Sequence, residues 1–229
     1  MNDANAFDLI MSGDANLFAI VALSLEVTLL ATLIAATAGL PFGAFVALTR
    51  FPGRGAVIVL LNGMMGLPPV VVGLLIYLFL SRSGPLGQFG LLYTPQAMII
   101  AQAVLIMPII AALSRQVIAD LWEEYREELN AMGVRPLGRI ATLLVDARFS
   151  LVTVLLAGFG RAAAEVGTVM IVGGNIEGYT RVMTTAIALE TSKGNLALAI
   201  GLGLVLISII TAVNASAWGL RHWSEIRAG

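Results

Sequence analysis

Residues 18–48 read FAIVALSLEVTLLATLIAATAGLPFGAFVAL, and Glu26 is the one charged side chain among them. A helix rises 1.5 Å per residue, so about 20 apolar residues cross the hydrocarbon core of a bilayer. This stretch is long enough to cross at a tilt or to project past the lipid. Glu26 belongs near a water interface or against a partner, because a carboxylate at the bilayer centre costs about 2.5 kcal/mol or more. Four further apolar stretches follow, at roughly 56–80, 97–118, 151–172 and 196–220. The expected fold class is all-α: a polytopic membrane protein of about five transmembrane helices, forming one domain over residues 1–229.

Composition agrees with that solvent. Hydrophobic residues make up 59% of the chain and charged ones 12%, with a mean hydropathy of +0.93; an average soluble chain carries about 25% charged residues. Cysteine is absent, His222 is the only histidine and Lys193 the only lysine. These counts remove disulfides, thiolate catalysis and metal sites built on thiolates or several imidazoles. Thr191-Ser192-Lys193-Gly194-Asn195 is no phosphate loop, so ATP must be handled by another polypeptide. Without a basic stripe carrying interleaved aromatics, nucleic acid is set aside as a partner. The first 16 residues carry Asp3, Asp8 and Asp14 and no Lys or Arg. They lack the basic n-region of a cleavable signal peptide and read as a retained tail.

Orientation follows from the cations that flank the spans. With the N-terminus outside, Arg50, Arg54, Arg115, Arg126, Arg135, Arg139, Arg148, Arg221 and Arg227 fall on the cytoplasmic side, and Arg82, Arg181 and Lys193 fall outside. An odd number of spans then puts the C-terminus in the cytoplasm. Helix breakers interrupt the apolar stretches: Pro41, Pro68, Pro69 and Pro108, with Gly63, Gly66, Gly73, Gly158 and Gly160. Small residues allow close helix packing. A proline inside a span also frees backbone groups that must find partners in the protein or in a watery cavity, and Leu67-Pro68-Pro69 is the foremost candidate for a bent, pore-lining element.

The one long polar stretch is 119–148. Glu123, Glu124, Glu127 and Glu128 precede Arg135 and Arg139. It reads as an amphipathic helix pair on the cytoplasmic side: Ala119, Leu121, Trp122 and Tyr125 give a first helix its apolar face, and Leu129, Met132 and Gly133 end a second. The alternative is a solvated loop of mixed charge.

Glu127-Glu128-Leu129-Asn130-Ala131-Met132-Gly133 resembles the Glu-Ala-Ala-x-x-x-Gly motif of permease subunits of binding-protein-dependent ABC importers. Glu128 and Leu129 replace its two alanines, and Asp146 stands where the family usually has proline. The resemblance implies a coupling helix that docks on a cytoplasmic ATPase, with Glu127, Glu128, Ala131, Met132 and Gly133 as the coupling residues; Glu127 would anchor the helix and Gly133 permit its turn. Phe159-Gly160-Arg161-Ala162-Ala163-Ala164-Glu165-Val166-Gly167 resembles a stretch of molybdate, tungstate and sulfate permeases. Gly173-Gly174-Asn175-Ile176, residues 180–187 and Glu190-Thr191-Ser192-Lys193-Gly194 are similar to the tungstate type, and the likeness covers residues 28–204. It implies a homodimer in the cell inner membrane, two copies of an ATPase subunit that carry the ATP and magnesium, an extracytoplasmic binding protein, and a tetrahedral oxyanion as cargo. No cofactor is expected in this chain.

Residues that could touch such a cargo are few. Arg161 and Glu165 stand four apart, at the spacing that shares one helix face, so they can neutralise each other. Alternatively Arg161 guides an anion, since guanidinium stays charged and offers a planar fork of donors. Gly173, Gly174 and Asn175 form a turn that can bring backbone N–H groups to an anion, and Thr180, Thr184 and Thr185 offer hydroxyls. Two other function classes stay open: an ion-coupled secondary transporter, for which only Glu26 and Glu165 would serve as intramembrane carboxylates, and a membrane enzyme, for which no nucleophile, base or metal set appears.

Overall fold

The computed structural model describes residues 15–228. The acidic tail over residues 1–14, read above as retained, lies outside the described residues. Among those described the chain forms nine α-helices and no strand: α1 Ala15–Leu48, α2 Arg54–Met64, α3 Pro69–Leu80, α4 Pro95–Ala131, α5 Pro136–Asp146, α6 Arg148–Ala163, α7 Gly167–Gly173, α8 Met183–Ser192 and α9 Leu196–Ala228, with a short 3-10 turn at Gly87–Phe89. In lipid, a helix satisfies its own backbone. Three helices, α1, α4 and α9, are long and apolar enough to cross a membrane, and two bent pairs, α2 with α3 and α5 with α6, bring the total to five if each pair is one span. The chain is an all-α polytopic membrane protein.

Two expectations need correction, and the bend expected at Leu67-Pro68-Pro69 is present: the stretch at 56–80 is two helices bent by 103°. Pro69 pushes Pro68 into an extended conformation (φ −62°, ψ 124°) and then opens α3 as its first residue, so no single helix passes this point. The stretch at 151–172 is also interrupted, between Ala163 and Gly167. Finally, 119–148 is not a separate helix pair. Nothing between Ile118 and Ala131 breaks a helix, so α4 runs through its first half, and only α5 is new.

The residues fall into two compact units. One comprises the described parts of Met1–Ala31, Pro68–Gln102 and Ala162–Gly229; the other comprises Thr32–Leu67 and Ala103–Arg161. The first has a core of Val27, Leu80, Met98, Ala101, Val169 and Val172, with α3 packed on α7 and α8 on α9. In the second, α1 meets α4 through Gly43, where an added Cβ would lie 2.9 Å from the Ser114 Cβ. Ser114 Oγ donates to the Leu40 carbonyl at 3.1 Å across the same crossing. Leu33, Val59, Leu74 and Ile207 are exposed, which a hydrocarbon solvent accommodates and water does not.

Candidate functional site

Within the first unit, the break that follows α6 is held by its own Glu165 and by side chains from two other elements, α4 and α8. Glu165 is 3% exposed. Its Oε1 accepts from the Thr168 N–H at 2.9 Å, capping α7, and its carbonyl accepts from Thr184 Oγ1 at 2.7 Å. Gln102 Nε2 donates to the Ala162 carbonyl at 3.1 Å. Thr168 Oγ1 donates to the Pro69 carbonyl at 2.8 Å, which joins this break to the break before α3. Irregular backbone at membrane depth survives only where such groups satisfy it. Gln102 Oε1 is buried with no hydrogen-bond partner.

Arg161 and Glu165 do not share a helix, contrary to the sequence reading. Arg161 stands half-buried in the last turn of α6, where a cation complements the helix dipole. Glu165 follows the end of that helix.

The three threonines engage backbone. Thr180 Oγ1 accepts from the Ile176 N–H at 2.9 Å and donates to the Gly173 carbonyl, closing the turn over Gly173, Gly174 and Asn175. Gly174 has φ 72° and closes α7, its N–H donating to the Met170 carbonyl. An added Cβ there would lie 2.8 Å from the Tyr93 ring. Asn175 follows at φ 49°, with Oδ1 buried and without a partner. Thr185 Oγ1 accepts from the Val182 N–H at 3.1 Å and so fixes the start of α8. Beside it, the Met183 N–H donates to Ser24 Oγ at 2.7 Å. Thr184 reaches Glu165, as described.

At the far end of α8, Glu190 is 8% exposed. Lys193 Nζ donates to its Oε1 at 2.8 Å and Asn195 Nδ2 to its Oε2 at 3.1 Å. The Lys193 hydrogen bond holds the Glu190 carboxyl below its ordinary range, with burial opposing and Asn195 assisting.

In the second unit, α4 ends in an elbow. The Gly133 N–H donates to the Asn130 carbonyl and the Val134 N–H to Leu129. This pattern places Gly133 in the left-handed position of a Schellman turn, at φ 65°. Glu127, Glu128, Ala131, Met132 and Gly133 are all exposed. Met132 (69%) and Leu137 (82%) present apolar side chains to the outside. Arg139 pins α5 back: its Nε donates to the Val134 carbonyl at 2.8 Å, and its guanidinium lies 5.4 Å from the Trp122 ring centre.

Sequence reasoning missed Ser24, Gln102 and Thr168. A signal existed for Gln102, an isolated amide within an otherwise apolar stretch. Ser24 and Thr168 look like the small residues common in any span. Among the described residues, no group of three His, Asp or Glu is placed to hold a metal.

No protein-family model matches the chain. A probable anion ABC transporter permease protein of Haloferax volcanii is 41% identical over 211 residues, covering 89% of this chain and 91% of its own. The tungstate uptake system permease protein TupB of Peptoclostridium acidaminophilum is 40% identical over 217 residues, 95% of each chain. TupB of Campylobacter jejuni is 43% identical over 150 residues, covering 66% of this chain and 63% of its own. Molybdenum and sulfate transport permeases match at 26–30% identity.

Proposed function

Because the chain belongs to the permease subunits of anion ABC transporters, we propose that it is the membrane subunit of an ATP-driven importer of a tetrahedral oxyanion, tungstate. The observation that carries this reading is the 40% identity to a tungstate permease over 95% of both chains. Molybdate and sulfate are the alternatives of the same type, and the permeases named for those cargoes match less well.

Two copies of the chain flank the path, and a separate ATPase supplies the driving force, binding the ATP and magnesium that this chain has no phosphate loop to hold. An extracytoplasmic binding protein delivers the anion. The excess of arginines at the elbow end of the spans supports an N-terminus outside the cell membrane and a C-terminus in the cytoplasm. The elbow at Glu127, Glu128, Ala131, Met132 and Gly133 is where the ATPase pushes, and its exposed Met132 and Leu137 suit an apolar cleft.

The path and its gate are drawn from Arg161, Glu165, Gly173, Gly174, Asn175, Thr180, Thr184 and Thr185. Arg161 guides the anion without capturing it, since an importer must release what it carries. Support for a gate at Glu165 comes from its own bonds. The helix break there is held by single contacts from the Thr184 hydroxyl, the Thr168 backbone N–H and the Gln102 amide, and such contacts can exchange when the helices move.

Reconstitution tests the reading. Proteoliposomes holding the chain with its ATPase and binding protein are expected to take up tungstate only with ATP, with molybdate and sulfate as poorer competitors. A stronger competition by sulfate or molybdate would reassign the cargo. Uptake by the chain alone, driven by an ion gradient, would overturn the whole assignment in favour of a secondary transporter.

A further inference from the structure

We propose that the groove formed by α1, α5 and α6 binds one anionic phospholipid, its acyl chain lying along the groove and its phosphate on Arg148. The groove has a volume of about 400 Å³ and lies wholly within the second unit; Leu40, Leu144, Leu151 and Leu155 make its apolar wall. Arg148 is the only charged residue that lines it. Thr37, the one hydroxyl there, already donates to the Ile34 carbonyl at 2.8 Å. The site therefore offers an anion one cation at one end and hydrocarbon elsewhere, which is the charge pattern of a lipid. A small free oxyanion would need donors on several sides.

Arg148 stands where a lipid phosphate sits. It is the first residue of α6, and α5 turns away from that helix by 76°; with α5 lying along the membrane surface and α6 entering the lipid, the guanidinium stands at the boundary between them. The Phe149 ring lies 4.6 Å from its centre. One N–H donates to the Val145 carbonyl at 3.1 Å, and the planar fork has further donors for phosphate oxygens. A second copy meeting this groove with its own would set Arg148 against Arg148, with no carboxylate among the lining residues to offset the two charges. Basic sites between helices at a membrane surface recognise anionic headgroups by this chemistry.

The full chain, reconstituted in nanodiscs of equal parts phosphatidylglycerol and phosphatidylcholine and then released into detergent, is to be weighed by native mass spectrometry. One phosphatidylglycerol per chain is expected to be retained in preference to phosphatidylcholine. Arg148→Gln should lower that retention about fivefold, and Leu151→Trp, which fills the groove, should remove it. Arg126→Gln, on the exposed part of α4, should leave it unchanged, and helix content in each variant reports folding. Equal retention of the two lipids, or an equal loss in Arg126→Gln, would overturn the proposal. So would displacement of the lipid by inorganic phosphate, which would mark a free-anion site. Because the chain has no native cysteine, Val152→Cys tests the remaining occupant: a disulfide joining two chains without retained lipid would assign the groove to a second copy.

Discussion

Thr168 Oγ1 donates a 2.8 Å hydrogen bond to the Pro69 carbonyl, joining two helix breaks that lie 99 residues apart in the chain. Each break alone leaves backbone groups without helical partners. Together they satisfy one another, and α3 and α7 pack as a pair.

Replacing Thr168 with valine keeps the shape and removes the donor. The side chain is fully buried, so the Pro69 carbonyl loses its partner and the protein is expected to lose about 1 kcal/mol of stability. Thermal unfolding in detergent measures this, and Thr168→Ser, which keeps the hydroxyl, should stay near the parent. Equal midpoints for the valine and serine variants would show that the bond contributes nothing.

Gly133→Val should uncouple transport without preventing insertion. Its φ of 65° is costly for a β-branched residue, about 1–3 kcal/mol. The elbow then rebuilds at the site where Met132 is presented. Uptake by the reconstituted importer should fall at least about tenfold, a loss of coupling free energy in the usual 1–3 kcal/mol range. Gly133→Asn, which tolerates the left-handed region, should retain most of it. Full uptake by the valine variant would remove the elbow from the mechanism.

The end of α8 should loosen in acid. Glu190 has its carboxyl lowered from an ordinary 4.5 by the Lys193 hydrogen bond. Its contribution is therefore complete above about pH 4.5 and disappears as the pH falls through the lower folded value. Amide hydrogen exchange at Gly194 and Asn195, whose N–H groups donate to Thr191 and Glu190 carbonyls, should accelerate over that window. In Glu190→Gln the acid-dependent step should be absent.

Gly43→Leu should be among the most damaging single changes in the second unit. The Cβ alone would sit 2.9 Å from both the Arg115 backbone nitrogen and the Ser114 Cβ, so α1 and α4 must separate at a cost of about 1–3 kcal/mol or more. Circular dichroism during heating reads the loss, and an unchanged midpoint would contradict the close crossing.

The spans were legible because lipid imposes a length that apolar runs must meet. Pro68-Pro69 also announced its break, since a proline restricts the residue before it. Glu165 gave no such notice: Ala162-Ala163-Ala164 favours a helix, and the interruption depends on bonds from Gln102 and Thr184, both distant in the chain, besides the local one from the Thr168 N–H. The same reason hid the role of Ser24, whose partner Met183 is 159 residues away. At 119–148 the error ran the other way. A change from apolar to charged residues suggests a new helix, although polarity alone does not end one, and α4 continues to Ala131.

That continuity has a mechanical consequence. At 37 residues, α4 is about 55 Å long, whereas the hydrocarbon it crosses is about 30 Å thick. Roughly 25 Å therefore stands clear of the oily layer on the side that carries Met132. An arm of that reach converts a rocking of about 10° within the bilayer into about 4 Å of sweep at its tip. Small rotations among the tightly crossed helices of the second unit and a visible stroke at the water-exposed end are thus two readings of one continuous helix.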